Sequence, residues 1–259
     1  MFSIPHLATI RQAEIERIVS HLTPGARVLE IGAGTGEQAA ELKRRGFDVI
    51  AIELADSGYA GDRIFPIIDY DGRTIPLPDA SVDIVFSSNV LEHVPDLKQM
   101  NSEIRRVLRP SGYCVHAMPT HAWRLWTTLS SYPDAVIHFI TAVPDLVPRG
   151  LPSGQELKRL RRAWYQTVRR VGGTCLQRRH GERGNLLSEL WLFHPSWWRN
   201  SFTANGFTVV HDEPMQLFYT GNMLLGPHLD RSRRTSLARW LGSACHLYKV
   251  TPAPSGDLA

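Results

Sequence analysis

Apolar residues recur along the chain with two different periods. Ile15, Ile18, Val19 and Leu22 fall on one helical face, which predicts a helix over 7–22 that Pro24-Gly25 closes. The apolar run 27–31 then reads as a short buried strand, followed by a glycine-rich turn and a helix to residue 45 that Gly46 stops. Further strands are expected at 47–52, 64–68 and 82–87. Leu97, Met100, Ile104, Val107 and Leu108 mark one face of a helix over 96–108, which leads through Pro110-Ser111-Gly112 into a fifth strand, 113–118. Strand and helix alternate from 26 to 118, the pattern of a parallel sheet covered on both faces.

After Pro119 this rhythm breaks for some 75 residues. Helical stretches at 123–147 and 154–171 are joined by Pro- and Gly-rich turns, and a loop containing RRHGERGN follows. Alternation then resumes with a helix at 195–204, a strand at 207–211, a helix at 236–241 and a last strand at 244–250. The expected fold is α/β, a doubly wound, seven-stranded, mostly parallel sheet whose last strand is antiparallel. Residues 1–118 and 195–250 form its body, 119–194 a helical cap inserted between strands 5 and 6, and 251–259 a frayed tail.

Of the 259 residues, 43% are hydrophobic and 21% charged, which excludes disordered, collagen-like and coiled-coil classes. The three cysteines show no CxxC spacing, so neither a disulfide framework nor a structural zinc site is expected, and the compartment reads as reducing and cytoplasmic. The N-terminus lacks a basic region followed by an apolar block, and no run of 18 apolar residues occurs. Neither secretion nor a membrane span is expected. The net charge of +4 is uneven: from Arg149 to Arg183 ten Lys and Arg stand against two Glu, so the rest of the chain is net negative. All seven tryptophans lie at or after Trp123.

The sharpest motif is VLEIGAGTG, 28–36. A strand delivers Glu30 at its carboxyl end, and Gly32, Gly34 and Gly36 allow a tight turn with close backbone approach to a ligand. The dinucleotide fingerprint GxGxxG fails, because Glu37 stands where its third glycine belongs and would repel a pyrophosphate at the helix start. A ligand without phosphates fits better. Glu53, ending the second strand, can take both hydroxyls of a ribose, which implies a nucleoside.

With DYDGRTIPLPDASVDIVFSSNVLEHV at 69–94 and EIRRVLRPSGY after it, the chain resembles the class I S-adenosylmethionine-dependent methyltransferases, in the branch with an LEHV motif. The resemblance covers roughly 25–120. It implies a Rossmann-like methyltransferase fold and S-adenosyl-L-methionine as cofactor, with Gly32 and Gly34 on the methionine moiety, Glu30 holding that region through hydrogen bonds or water, and Glu53 on the ribose. Asp71 would accept from the adenine amino group, with the Gly72 N–H on the ring and Asp69 as a substitute for Asp71. Asn89 and His93 look over the sulfonium in similar proteins. Asp71 is also a natural turn residue, and His93 is also a natural helix-capping or cofactor-orienting residue.

Methyl transfer to a hydroxyl needs alignment and a base projecting from the sheet's carboxyl edge. The candidates are His121, just beyond the fifth strand, then His93, then His180 or Glu182 in the inserted loop; His116 lies inside a strand and reads as packed. SSNV stands where enzymes methylating exocyclic amines carry an Asn/Asp-Pro-Pro-aromatic motif, no Pro-Cys nucleophile occurs, and the acidic metal set of catechol-type enzymes is not apparent. No metal is expected. The expected acceptor is a small molecule, anionic, saccharide or lipid-linked, methylated on oxygen in glycan, cell-surface saccharide or lipid-linked biosynthesis. The alternatives are an RNA methyltransferase and a non-catalytic cofactor-binding regulator. KRLRRAWYQTVRR, 158–170, reads as a phosphate-rich substrate contact, a peripheral anionic-membrane contact or a solvated helix face.

Overall fold

A seven-stranded sheet organises the chain in a computed structural model that describes residues 4–148, 150, 153–175, 177–222 and 226–254. Helix α1 (Ile4–Val19) precedes β1 (Arg27–Ile31), α2 (Glu37–Arg44), β2 (Asp48–Leu54), β3 (Ile68–Tyr70) and β4 (Val82–Ser88). Then come α3 (Leu97–Val107) and β5 (Leu108–Pro119). Helices α4 (His121–Leu146), α5 (Gly154–Cys175) and the short α6 (Glu189–Leu192) stand between β5 and α7 (Pro195–Ala204). Strand β6 (Phe207–Pro214), α8 (Arg231–Leu241) and β7 (Cys245–Pro252) complete the chain. The strand order is β3-β2-β1-β4-β5-β7-β6, with β7 antiparallel to both its neighbours and the other pairings parallel.

The period-2 alternation of the strands explains the two layers of helices. Leu29 and Ile31, with Val85, Cys114 and Met118, pack on one face against Met100 and Ile104 of α3 and Trp198 and Phe202 of α7. Val28, Ile84, Phe86, Val115 and Ala117 pack on the other against Ile15 and Ile18 of α1 and Leu42 of α2. Burying each such side chain contributes roughly 1.5–3 kcal/mol, and a strand with both faces covered needs the near-continuous apolar runs the sequence carries.

Several boundaries differ from the pattern-based expectation. The third strand is Ile68–Tyr70 rather than 64–68. Ile64 donates instead to Thr35 O at 2.8 Å and Phe65 packs over Gly36, while Pro66 lacks the N–H a ladder needs. Pro110-Ser111-Gly112 is not a turn before β5 but part of it: Val82 pairs with Leu108 and Ile84 with Tyr113, so the intervening residues bulge, a place where proline is tolerated in a sheet. Helix α8 starts at Arg231, not 236, because Asp230 accepts from Arg233 N and caps it. Strand β7 extends to Pro252, where it pairs with Phe207, so the start of the expected tail is sheet; residues 255–259 lie outside the described residues. Among the described residues no helix is long and apolar enough to cross a membrane.

Candidate active site

The carboxyl ends of β1, β2 and β4 meet along one edge, where a parallel sheet opens its ligand crevice. After Ile31 the chain turns at Gly32, whose N–H and that of Ala33 donate to Ile52 O at 2.9 and 3.1 Å. Gly32 has φ +73°, and a Cβ there would collide with the Val90 side chain, so both conformation and space require glycine. Gly34 donates its N–H to Glu53 Oε2 at 2.7 Å, while Leu54 N donates to the other oxygen at 2.8 Å. The turn and the carboxylate are thereby fixed to one another.

A cavity of about 1210 Å3 opens over this edge. Of the residues singled out in the sequence, Gly32, Gly34, Glu53, Asp71, Gly72, Asn89, His93 and Glu182 line it. Asp71 is also the turn residue the Asp-Gly pair suggests: its Oδ1 accepts from Arg73 N and Thr74 N, both at 2.8 Å, and these bonds hold its carboxyl below the usual range. Asn89 has a left-handed backbone, φ +55°, uncommon for a residue with a side chain. Its N–H donates to Ala117 O at 2.8 Å, and its Oδ1 accepts from the Cys245 thiol at 3.3 Å.

Glu30 does not line the cavity but lies buried beneath the turn, 2% exposed. Burial, with the Glu53 charge adding to it, pushes its carboxyl up to about 8 against a bond from the Ala39 N–H, so it is predominantly protonated at neutral pH. Asp69 pairs with Arg63 at 2.7 Å and is likewise outside the cavity lining.

The structure does not bring His121 to this group. Thr120 caps α4, accepting from Trp123 N, and His121 N donates to Phe193 O, so the helix begins at once. The His121 ring lies 4.7 Å from the His194 ring, outside the cavity lining. His116 is buried inside β5, bonded through Nδ1 to Ser87 Oγ at 2.8 Å, and burial pushes it down to about 3. His93 is the imidazole of the cavity; burial lowers its pKa, with Glu182 opposing and Arg183 reinforcing the shift, so it is neutral at neutral pH.

Arg11 of α1 also lines the cavity, a contribution sequence reading missed because a polar residue on an N-terminal helix reads as solvated. Burial disfavours its charge, but Glu14 at 2.7 Å, with Tyr219 and Cys245, outweighs this and raises its pKa. The loop at 178–183, which carries the candidates His180 and Glu182, also reaches the site. Glu182 N donates to Glu92 O at 2.9 Å, and the Arg183 guanidinium donates to Val94 O at 2.6 Å and Leu91 O at 3.0 Å. These bonds hold the loop against the LEHV segment.

Residues 29–116 match a protein family described as a methyltransferase domain. Over this stretch the chain is similar to a methyltransferase domain. An uncharacterized methyltransferase of Mycobacterium sp. (strain JLS) is 37% identical over 111 residues, covering 40% of this chain and 43% of that protein. A Mycolicibacterium smegmatis protein named "Probable S-adenosylmethionine-dependent methyltransferase" is 36% identical over 116 residues, 42% of this chain and 44% of its own. The chain thus spans less than half the length of these curated relatives. The S-adenosylmethionine-dependent methyltransferase of Mesorhizobium loti superposes with a TM-score of 0.52 at 17% identity, covering 92% of this chain and 97% of that one, a likeness of fold.

Proposed function

We propose that the protein transfers a methyl group from S-adenosylmethionine to a hydroxyl of a small-molecule acceptor. The observation that carries this reading is the make-up of one cavity, with the glycine turn, Glu53 and Asp71-Gly72 on one side and Asn89, His93 and Glu182 on another. Its volume of about 1210 Å3 exceeds the ~300–1,000 Å3 of single-ligand clefts, which leaves room for an acceptor beside a nucleoside.

The residues present fit the cofactor. Each oxygen of Glu53 accepts one backbone N–H and retains a lone pair for one ribose hydroxyl. Asp71 commits Oδ1 to its turn and keeps Oδ2 for the adenine amino group, with the Gly72 N–H on the ring. Gly32 and Gly34 leave the backbone open to the methionine part, Glu30 supports the turn from below, and Asn89 stands at the reacting end. When bound, the cofactor supplies an electrophilic methyl group. The protein's share is to align the acceptor and remove its proton. In this reading His93 takes that proton in place of His121, because it is the neutral imidazole on the cavity wall.

The segment 119–194 acts as the cap that selects the acceptor. Helix α4 exposes Leu125, Leu129, Tyr132, Val136, Ile140 and Val143, and α5 exposes Arg161, Arg162, Arg169 and Arg170. Apolar and basic surfaces on neighbouring helices suit an amphiphilic saccharide or lipid-linked acceptor met at an anionic membrane surface. Incubating the protein and methyl-labelled cofactor with a fractionated cell extract tests this: label is expected in the lipid or saccharide fraction. Label in RNA would replace the acceptor class, and cofactor binding without any labelled product would favour a regulator.

A further inference from the structure

Glu92, in the LEHV motif, is a carboxylate that the cofactor site does not use. Its side chain is fully buried, and neither oxygen has a hydrogen-bond partner among the described residues. An ionised carboxylate in that position is costly unless a cation meets it. The nearby guanidinium groups act on it only through their charge, since their hydrogen bonds go elsewhere: Arg11 to Glu14, and Arg183 to the carbonyls of Val94 and Leu91. Two imidazoles face the carboxylate instead. His93 Nε2 is 3.8 Å and His180 Nε2 4.0 Å from Glu92 Oε1, and one donor atom from each of the three residues lies within 4.8 Å of the others.

We propose that Glu92, His93 and His180 form a binding site for a divalent transition-metal ion of the zinc type, at the His93 side of the cavity. Two imidazoles and one carboxylate are a ligand set that suits such ions and leaves a coordination position open. An ion at the centre of the three donor atoms lies about 2.5 Å from each, and small side-chain rotations bring it to the ~2.0–2.2 Å of zinc–nitrogen and zinc–carboxylate bonds.

His180 is held in place for this. Glu189 Oε1 accepts from His180 N at 2.5 Å and Gly181 N at 2.8 Å, and Glu189 pairs with Arg124 at 2.9 Å. A Cβ at Gly181 would stand 2.8 Å from Glu92 O, so only glycine lets the loop approach this closely. Of the three ligands His93 lines the cavity, so the site adjoins it. A hydroxyl bound there would lose its proton to water more readily, which is the task assigned above to metal-free His93.

A second cluster, His21, His211 and Glu213, has comparable spacing and serves as the control. Its carboxylate is already neutralised by Arg17 at 2.9 Å and bonded by His21 at 3.1 Å. The full-length chain, stripped with chelator and free of cofactor, is titrated with Co2+, reading visible d–d absorption, and then with Zn2+ to displace it. One Co2+ site is expected, abolished by His180→Ala, weakened at least tenfold by Glu92→Gln, retained by His211→Ala, displaced by Zn2+ and not by Mg2+. Absence of a Co2+ signal, or a signal that survives His180→Ala and disappears with His211→Ala, overturns the proposal. Because the readout uses neither cofactor nor acceptor, a negative result leaves the methyl-transfer reading standing.

Discussion

Replacing Arg124 by methionine tests what holds the 178–183 loop, since it keeps the apolar stem of the side chain and removes the guanidinium. The Arg124 guanidinium and the Glu189 carboxylate are 4% and 0% exposed, and Nε meets Oε2 at 2.9 Å as an ion pair without a well-aligned hydrogen bond. Arg124 also donates to Arg178 O at 2.9 Å, and Glu189 accepts from His180 N and Gly181 N. Removing the cation leaves a buried carboxylate that keeps two neutral donors. Breaking a buried pair costs about 3–5 kcal/mol, and the two surviving N–H bonds place this site at the lower end, about 3 kcal/mol. For a chain of this size that is roughly a 6–12 °C fall in Tm. The double variant Arg124→Met/Glu189→Gln removes the charge while its amide oxygen still accepts from the loop, so it should recover to within about 1 kcal/mol of the parent. Urea unfolding followed by tryptophan fluorescence measures both. A single variant costing under about 1 kcal/mol, or a double variant less stable than the single one, would refute the claim that this pair holds the loop.

Glu53→Ala should weaken S-adenosylmethionine by about 1–3 kcal/mol in calorimetry, and unchanged affinity would remove Glu53 from the site. His93→Ala should lower turnover by about 10²–10⁴-fold while His121→Ala stays near the parent rate; the reverse ranking would return the proton transfer to His121. Since the neutral imidazole is the active form and burial lowers the His93 pKa, the acid limb of the pH–rate profile should fall below the ordinary histidine value of 6.5; a limb above it would contradict the assignment. Glu30, raised from 4.5 to about 8, favours the folded state while protonated, so its contribution is full below pH 4.5 and is lost as pH climbs to about 8. Glu30→Gln removes that loss and should gain stability relative to the parent between about pH 5 and about pH 9, by urea titration; an equal difference at both pH values would show that Glu30 does not titrate this way.

Apolar periodicity made most of the sheet legible, because strands buried on both faces must be apolar wherever they run, as at 27–31 and 82–88. It failed where an apolar run serves something other than a ladder. Ile64, Phe65 and Ile67 look like strand residues, yet Pro66 interrupts them and Phe65 covers the glycine turn. The glycine turn and the strand-end carboxylate that line the cavity were legible because such residues have a fixed place in the motif. Arg124, Glu189, Glu14 and Glu92 were not, since charged residues are mostly solvated and only the assembled fold shows them buried. The place of the His121 ring was not legible for a local reason: its position just past β5 suggested exposure at the sheet edge, but Thr120 starts a helix there and the ring lies beside His194.

The buried charges also explain how the N-terminal helix belongs to the site. Glu14 of α1, fully buried, takes Arg11 on one oxygen at 2.7 Å and the Tyr219 hydroxyl on the other at 2.8 Å. That hydroxyl lies 3.0 Å from Cys245 Sγ, whose thiol donates to Asn89 Oδ1. Burial raises both the tyrosine and the cysteine, so both keep their protons and act as donors. The chain of contacts runs from α1 through β7 to the left-handed residue at the end of β4. A buried polar network is tolerable only when its members are satisfied together, so Arg11 reaches the cavity wall as the outer end of a structure that also fixes Asn89. Helix α1 precedes the matched stretch 29–116 in sequence, yet its removal would leave Tyr219, Cys245 and Asn89 without the carboxylate and guanidinium that anchor them. The cavity is therefore built by the sheet together with α1 and the 178–183 loop, and residues 29–116 alone would lack Arg11 and Glu182 from its wall.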